Sequence, residues 1–176
     1  MGIKLKDILN EEHQNIYYFA YGSNMDVALF ESKYKTAKAV ELVYLTNYKL
    51  TFDKYSEQDN SVVADVVKEN GPKVFGILYR MSITDIPALD KQEDGYTKER
   101  DIVTDGNGNT HRAYFYSVSN KHNIKSIPSV DYTKKMMIGL RDALKIGPAE
   151  HDSLQTQLKV YIKHILDLNR IANEAI

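Results

Sequence analysis

The sequence contains no cysteine and no tryptophan, and only four of its 176 residues are proline. Without cysteine, the chain cannot form disulfides, bind zinc through thiolates or use a thiol nucleophile. Disulfides are rare in the reducing cytosol, and a chain without cysteine is suited to that compartment. We therefore predict a cytoplasmic protein.

The sequence also lacks a charge bias and a long apolar run. Lys and Arg together number 23 against 24 Asp and Glu, which gives a net charge of −1. The basic residues are dispersed, so no basic surface for nucleic acid or an anionic membrane is expected. No segment approaches the roughly 20 apolar residues that span a bilayer, and no basic region followed by a hydrophobic stretch opens the chain. We expect neither nucleic acid nor a membrane as partner.

The remaining composition is that of a globular domain, with 43% hydrophobic and 27% charged residues. This length is enough for one domain with its own core. We predict a single domain over residues 1–176, in which residues 1–15 are a loosely attached polar lead-in and residues 149–176 a C-terminal helical segment. Most of the thirteen tyrosines are expected to pack on half-buried strand faces.

Hydrophobic periodicity and turn residues predict an α+β fold. Strands are predicted at 16–20, at 40–52 as two strands interrupted at 46–47, at 61–67 and at 73–81, with an Asn-Gly-Pro turn at 70–72. A hairpin is expected around the Asp-Gly-Asn-Gly-Asn tip at 105–109. Helices are predicted at 26–32, 83–92, 131–145 and 150–173, the first two capped by Asp26 and Ser82. Strands followed by inserted and appended helices indicate a curled or closed mixed sheet.

Two features of this pattern resemble metal sites. Asp105, Asn107 and Asn109 alternate as at the start of a calcium loop, but Thr110 stands where glycine is needed and Tyr116 where the bidentate glutamate belongs. The five histidines form no His-x-x-x-His or His-Glu-x-x-His pattern. We predict no metal site and no cofactor.

The last predicted helix carries an apolar stripe with alternating four- and three-residue spacing. Its members are Leu154, Leu158, Tyr161, Ile165, Leu168 and Ala172. The stripe is expected to pack on the sheet or the preceding helix. The same spacing would also suit a homodimer interface, and three heptads are too few to decide between the two.

Four short motifs follow one another in the chain. Residues 18–25 read Tyr-Phe-Ala-Tyr-Gly-Ser-Asn-Met, residues 74–80 Val-Phe-Gly-Ile-Leu-Tyr-Arg, residues 89–93 Leu-Asp-Lys-Gln-Glu, and residues 128–132 Pro-Ser-Val-Asp-Tyr, with Gly139 downstream. In this order they resemble the γ-glutamylcyclotransferase family over about residues 16–147. One departure follows Glu93, where a residue is inserted before Gly95 and Tyr96 is displaced from the family's pattern.

The resemblance implies a small mixed β-barrel with flanking helices, and an enzyme that needs no cofactor or metal. Its substrate would be a small γ-glutamyl compound, whose α-amine attacks the γ-carbonyl to release 5-oxoproline and a free amino acid or amine. The resemblance assigns the role of general acid/base to Glu93. It also implies that the loop of Tyr21, Gly22, Ser23 and Asn24 binds the substrate.

The chemistry of the loop supports these assignments. Backbone N–H groups of Gly22, Ser23 and Asn24 would hold a carboxylate or an oxyanion. The Asn24 amide would brace the loop, and Tyr21 would line the pocket. Ser23 lacks the surroundings of a nucleophile. The resemblance also points to Tyr132, which either closes the substrate slot with its hydroxyl or packs in the core.

The position of Glu93 directly after a predicted helix also favours a role in proton transfer. If the preceding helix ends near Gln92, the carboxylate lies at the negative pole of the helix dipole, which raises its pKa and suits proton transfer near neutral pH. The alternative from sequence is an ordinary surface glutamate in a charged run.

Three functional alternatives stay open. The first is a binding module on the same fold that holds a γ-glutamyl-like ligand without converting it. The second is an enzyme specific for γ-glutamyl amines, although the Gly-Ser-Asn form of the loop is more similar to the γ-glutamyl-amino-acid branch. The third is an interaction protein that works through its C-terminal helix. Residues that contact the leaving group are expected in loops at 53–60 and 121–127.

Overall fold

The computed structural model describes residues 15–119, 127–145 and 152–174, the last helix with side chains at 155–167 only. Within this part of the chain, five strands and four α-helices follow one another. The strands are β1 (Asn15–Ala20), β2 (Lys38–Ser56), β3 (Ser61–Ser82), β4 (Tyr96–Asp105) and β5 (Thr110–Val118). The helices are α1 (Val27–Lys33), α2 (Ile86–Gln92), α3 (Val130–Ala143) and α4 (Asp152–Glu174).

The five strands close into a barrel in the order β1-β3-β2-β4-β5. Neighbouring strands are antiparallel, except that β1 and β5 close the barrel in parallel, with Tyr18 opposite Tyr114. The barrel is therefore mixed, and the helices flank it. The predicted α+β class and small mixed barrel are confirmed.

Two predicted interruptions within strands are wrong. The separate strands predicted on either side of Asn47, and on either side of the 70–72 turn, are the single strands β2 and β3. The pairing skips from Thr46 opposite Lys73 to Tyr48 opposite Lys68, so the turn-like residues form a bulge between paired halves. Asn47 and Gly71 adopt positive φ angles there, and the Gly71 N–H donates to Asn47 Oδ1 at 3.1 Å. Residues that favour turns, such as Asn and Gly, also favour β-bulges, because both structures use positive φ angles.

The barrel interior is filled by large apolar side chains. Phe19 of β1, Tyr79 of β3 and Phe115 of β5 are completely buried. Tyrosines also contribute, as predicted: Tyr18 stacks on Phe30 of α1 with ring centroids 5.4 Å apart. This rigid interior fixes the strand ends on which the site is built.

The predicted helix starts agree with the structure in part. The Asp26 side chain accepts from the Leu29 N–H at the start of α1. Ser82 accepts from the Thr84 N–H, but it caps a single 3-10 turn, Ile83–Asp85, which then leads into α2. Ser129 caps α3 by accepting from the Tyr132 N–H at 3.2 Å.

Part of the α4 stripe is used within the chain. Leu158 and Ile165 are buried, and the Tyr161 ring contacts Phe75 of β3 with centroids 5.3 Å apart. The side chains of Leu154, Leu168 and Ala172 lie outside the described residues, as do residues 1–14 of the predicted lead-in. The homodimer remains an untested prediction. Among the described helices, none has the length and apolar character to cross a membrane.

Candidate active site

A cleft of about 710 Å³ opens beside the end of β1. All six residues predicted for the site line it: Tyr21, Gly22, Ser23, Asn24, Glu93 and Tyr132. They come from three separate parts of the chain, namely the β1 end, the end of α2 and the start of α3. The fold therefore brings the predicted residues together, while their chemical roles remain predictions.

The loop after β1 is a rigid 3-10 turn, Ser23–Met25. The Met25 N–H donates to the Gly22 carbonyl at 3.0 Å, and the Tyr79 hydroxyl donates to the Asn24 carbonyl at 3.0 Å. Among the described residues, the Gly22 and Asn24 backbone N–H groups donate no hydrogen bond. The loop thus presents N–H donors at the cleft, as a site for an anion requires.

Helix α3 packs directly against the 3-10 turn. The side chain of Met25 is fully buried, and Gly139 of α3 lies directly against it. A Cβ added at Gly139 would lie 2.6 Å from the Met25 carbonyl carbon. Because no side chain fits at that distance, the glycine permits the close approach of helix and turn. This gives a structural reason for the glycine noted downstream of the last motif.

The C-terminal end of helix α2 places Glu93 at the cleft. Leu89 is buried in the core, and the Asp90 carboxylate accepts from the Tyr116 hydroxyl at 2.6 Å and from Lys98 Nζ at 2.8 Å. Glu93 caps the C-terminal end of the helix, where its N–H donates to the Leu89 carbonyl at 3.0 Å. In the Leu-Asp-x-x-Glu motif, Leu89 therefore packs in the core, Asp90 bonds to β4 and β5, and Glu93 lies at the cleft one helical turn after Leu89.

A hydrogen-bond network orients the Glu93 carboxylate. Asn24 Nδ2 donates to Glu93 Oε1 at 2.8 Å and to the Tyr18 hydroxyl at 2.9 Å. Gln92 Nε2 donates to Asn24 Oδ1 at 3.0 Å and to Glu93 Oε1 at 3.2 Å. Both bonds to Glu93 end on Oε1. Oε2 accepts none from the described residues, so it is the oxygen available for proton exchange with a ligand.

The environment shifts the proton affinity of this carboxyl. Burial raises the pKa of Glu93 above its ordinary value, against hydrogen bonds from Asn24 and Gln92 and the positive charges of Lys54 and Lys33, which lower it. The direction is the one predicted from the helix end, but the largest cause is burial. A raised pKa brings the carboxyl closer to neutral pH, where a proton shuttle works best.

Tyr132 lies at the first turn of α3 and is buried. Its hydroxyl accepts from the Ala64 N–H at 2.9 Å. A Cβ added at Gly22 would lie 2.9 Å from this hydroxyl. The residue therefore combines both predicted positions: the ring is packed in the core, and the hydroxyl lies at the cleft against the loop. Because the hydroxyl oxygen accepts from the Ala64 N–H, its proton remains to be donated.

Two further tyrosines shape the cleft. The Tyr21 hydroxyl donates to the Tyr116 carbonyl, so this residue braces the loop against β5. Tyr96, displaced from the family's pattern in sequence, is the first residue of β4 and lines the cleft. Burial raises the pKa of its hydroxyl, with Tyr132 and Glu93 close enough to add to the shift. The insertion after Glu93 therefore keeps a tyrosine in the cleft.

The tip of the β2–β3 hairpin forms the opposite wall. Residues 54–59 line the cleft together with Lys135 of α3. Lys135 Nζ forms an ion pair with Asp59 Oδ1 at 2.7 Å, and Lys54 Nζ donates to the Asp94 carbonyl at 2.5 Å. The loop predicted at 53–60 for the leaving group thus reaches the cleft, whereas most of the second predicted loop, 121–127, lies outside the described residues.

Sequence reasoning missed Tyr18 and Gln92, and it included Lys54 only as a member of the loop predicted at 53–60. Tyr18 and Gln92 flank the two motifs, and only the folded chain brings their side chains to Asn24 and Glu93. Lys54 lies in a hairpin without a motif. The position of Gln92, a polar residue directly before the candidate catalytic carboxylate, is the signal that could have indicated its contact with Glu93.

One group of side chains outside the cleft has metal-ligand chemistry. Ligand atoms of Glu41, Asp105 and His111 lie within 4.8 Å of one another. His111 Nε2 lies 3.1 Å from Glu41 Oε1. The Asp105 carboxylate already accepts from the Asn107 and Asn109 N–H groups and the Asn109 amide, so it stabilises the hairpin tip. His111 is thus part of the barrel wall, on β5 opposite Val103.

Comparison with known proteins identifies the family. The family described as "Gamma-glutamyl cyclotransferase, AIG2-like" matches residues 18–134. The chain belongs to this family. It is 25% identical over 145 residues to gamma-glutamylcyclotransferase of Bos taurus, covering 78% of this chain and 76% of that protein. It is 31% identical over 87 residues to the Mus musculus protein of the same name, covering 47% and 46%.

A solved structure titled "Gamma-glutamyl cyclotransferase" superposes with a TM-score of 0.71 at 22% identity, over 83% of this chain and 87% of that one. At this identity the superposition establishes the shared fold. The recognition made from the four motifs is confirmed.

Proposed function

We propose that the chain is a γ-glutamylcyclotransferase that converts a γ-glutamyl amino acid or amine into 5-oxoproline and the free amino acid or amine. The observation that carries this proposal is the Glu93 carboxylate. It is half-buried at the cleft, held through Oε1 and available through Oε2. Family membership supports the same reaction class.

The reaction needs no protein nucleophile, because the substrate contains its own. The α-amine nitrogen attacks the γ-carbonyl carbon, and a new C–N bond closes a five-membered ring while the carbonyl electrons move onto oxygen. The oxyanion then collapses, the bond to the leaving nitrogen breaks, and the lactam and a free amine result. Since both reacting groups belong to one molecule, a cleft that holds the substrate folded removes much of the entropic barrier.

Glu93 would carry a proton from the attacking nitrogen to the leaving nitrogen. The α-ammonium has a pKa of about 7.7–8.0 in model peptides, so it must first lose one proton to water to free the lone pair for attack. Once the C–N bond has formed, the ring nitrogen gives its surplus proton to Glu93 Oε2, which passes it to the leaving nitrogen as the bond to that nitrogen breaks. A raised carboxyl pKa favours both halves of this transfer, because acid and base strengths are then better matched.

The loop after β1 would hold the charges of the substrate. The backbone N–H groups of Gly22 and Asn24 suit the α-carboxylate or the oxyanion, and the Tyr132 hydroxyl can donate to the same region. The 3-10 turn is fixed by Tyr79 and by α3, so these donors need no rearrangement when charge develops. This preorganisation is a large source of rate enhancement in acyl transfer.

A product analysis tests the proposal. The purified chain is incubated with γ-glutamyl dipeptides, glutathione, γ-glutamyl amines and ε-(γ-glutamyl)-lysine, and products are identified by mass spectrometry. We expect 5-oxoproline and the leaving amine in equal amounts from at least one compound. Release of glutamate instead would indicate hydrolysis. Binding in a thermal-shift assay without any product would favour the non-catalytic binding module.

A further inference from the structure

Three lysines line the cleft, and the surroundings of Lys54 differ from those of Lys33 and Lys135. Lys54 lies on β2 opposite Val63 and is half-buried. Its Nζ donates to the Asp94 carbonyl and lies 4.1 Å from the centroid of the Tyr96 ring. Both contacts hold the ammonium at the cleft, on the side where Glu93 is found.

The neighbouring lysines have other partners. Lys135 forms an ion pair with Asp59, and Lys33 is exposed and donates to Gln92 Oε1. Lys54 forms no direct ion pair with a carboxylate of the described residues; the charges of Glu93 and Asp94 act on it from a longer distance. Partial burial lowers its pKa, because the ammonium loses part of its hydration beside the Tyr96 ring. A partly desolvated cation without a paired anion is a favourable position for an anionic group of a ligand.

The proposed reaction determines which ligand group can reach this lysine. The leaving nitrogen must lie beside Glu93 Oε2 to receive the proton. When the leaving group is an α-amino acid, its carboxylate is two bonds away from that nitrogen. The negative charge of Glu93 also acts on Lys54, which raises the lysine pKa against the effect of burial. An ammonium has three donors, and only one of them is used by Asp94.

We propose that Lys54 forms a subsite for the α-carboxylate of the leaving group. It would make the chain prefer γ-glutamyl amino acids to γ-glutamyl amines of the same size. This inference rests on the proposed function, and it concerns the specificity of that function. It assigns the choice of leaving group to a residue in the hairpin wall, outside the motifs that define the family.

A pair of matched substrates tests this subsite. γ-Glutamyl-alanine and γ-glutamyl-ethylamine differ only by the leaving-group carboxylate. We measure the ratio of their kcat/KM values for the wild type, Lys54→Met, Lys54→Arg and Lys33→Met. A hydrogen bond to a charged group contributes about 1.5–3 kcal/mol. We therefore expect Lys54→Met to reduce the preference for γ-glutamyl-alanine by roughly 10- to 100-fold, with most of it kept in Lys54→Arg.

Lys33→Met is the control for a general loss of charge. It also removes a positive charge that lowers the Glu93 pKa, so it can change both rates, but it should leave their ratio near the wild-type value. An unchanged ratio in Lys54→Met, or an equal fall in Lys33→Met, would overturn the subsite. Thermal denaturation of each variant confirms that it is folded.

The ratio separates this inference from the proposed function. If the wild type releases 5-oxoproline from neither compound, the proposed function fails in this assay, and the subsite is then tested by binding. In that case, calorimetric dissociation constants of both compounds are compared for wild type and Lys54→Met. A weaker affinity of Lys54→Met for γ-glutamyl-alanine, with that for γ-glutamyl-ethylamine unchanged, supports the subsite. The same affinity of both proteins for γ-glutamyl-alanine rejects it.

Discussion

Asn24 and Glu93 are 69 residues apart in the sequence, and in the fold Asn24 Nδ2 donates to Glu93 Oε1 at 2.8 Å. The same amide nitrogen donates to the Tyr18 hydroxyl, and the amide oxygen accepts from Gln92. Asn24 therefore fixes which carboxylate oxygen of Glu93 faces the cleft. Under the proposed function, the loop asparagine would position the acid/base, in addition to its place in the predicted anion-binding loop.

Replacing Asn24 tests this positioning. Asn24→Leu removes a hydrogen bond that lowers the pKa of Glu93, so the pKa should rise further. Glu93 must be deprotonated to accept the substrate proton. The acid limb of kcat/KM against pH should therefore move to higher pH. The maximal rate should also fall, by roughly 10- to 100-fold, because the carboxylate loses its orientation.

A graded comparison controls for non-specific damage. Gln92→Leu removes the longer bond to the same oxygen, 3.2 Å against 2.8 Å. Its acid limb should move in the same direction by a smaller amount. An Asn24→Leu profile that superposes on the wild type would mean that Asn24 does not control the ionisation of Glu93.

Glu93 should reduce the stability of the fold near neutral pH. Its pKa is raised in the folded state, so its contribution to stability is fully present below the pKa of the unfolded chain. This contribution is lost as the pH rises through the folded-state value. Glu93→Gln stays neutral at every pH. It should therefore unfold at a higher temperature than the wild type at pH 7–8, and the difference should shrink towards pH 4.

Thermal denaturation of both proteins across this pH range measures the effect. Glu69→Gln is a suitable control, because Glu69 is exposed and does not line the cleft. A destabilised Glu93→Gln at pH 8 would contradict the burial cost inferred for this carboxylate.

Gly139 should be intolerant of even a small side chain. Gly139→Ala places a methyl group 2.6 Å from the Met25 carbonyl carbon, so α3 or the 3-10 turn must shift. Overpacking of this kind costs about 1–3 kcal/mol of unfolding free energy. The turn carries the cleft donors, so turnover should fall as well. Urea denaturation and a rate assay measure both.

Ile138→Ala serves as the comparison for Gly139→Ala. Ile138 is the preceding residue of the same helix and is 38% exposed, so its truncation should cost less and leave the rate near that of the wild type. Equal stability of Gly139→Ala and wild type would show that the turn and helix can separate without cost.

The positions of most strands, the hairpin tip and the helix end at Gln92 could be predicted, because each depends on local residues. Asp26, for example, caps α1 by accepting from the Leu29 N–H three residues ahead. The division of β2 and β3 was predicted wrongly, since Asn47 and Gly71 have the positive φ angles of turn residues but serve a bulge. Only the pairing with the neighbouring strand distinguishes a bulge from a turn that ends the strand.

The contacts of the site could not be predicted, because they join distant parts of the chain. The Tyr132 hydroxyl reaches Ala64, 68 residues away, and Lys54 reaches the Asp94 carbonyl, 40 residues away. No periodicity or spacing encodes such pairs. Tyr96 is the clearest example: its position in the sequence departs from the family's pattern, yet β4 begins at this residue and places it in the cleft.

The central claim is that Glu93 transfers the proton in the release of 5-oxoproline. The most direct test compares the turnover number of wild type and Glu93→Gln on the best γ-glutamyl substrate, with Glu69→Gln as control. Glu93→Gln keeps the size and the Oε1 acceptor of the side chain, so we expect ligand binding to persist. Its turnover should fall by roughly 10²–10⁴, as loss of a general acid/base requires, while Glu69→Gln stays near the wild type. A folded Glu93→Gln variant that releases 5-oxoproline at the wild-type rate would contradict the account.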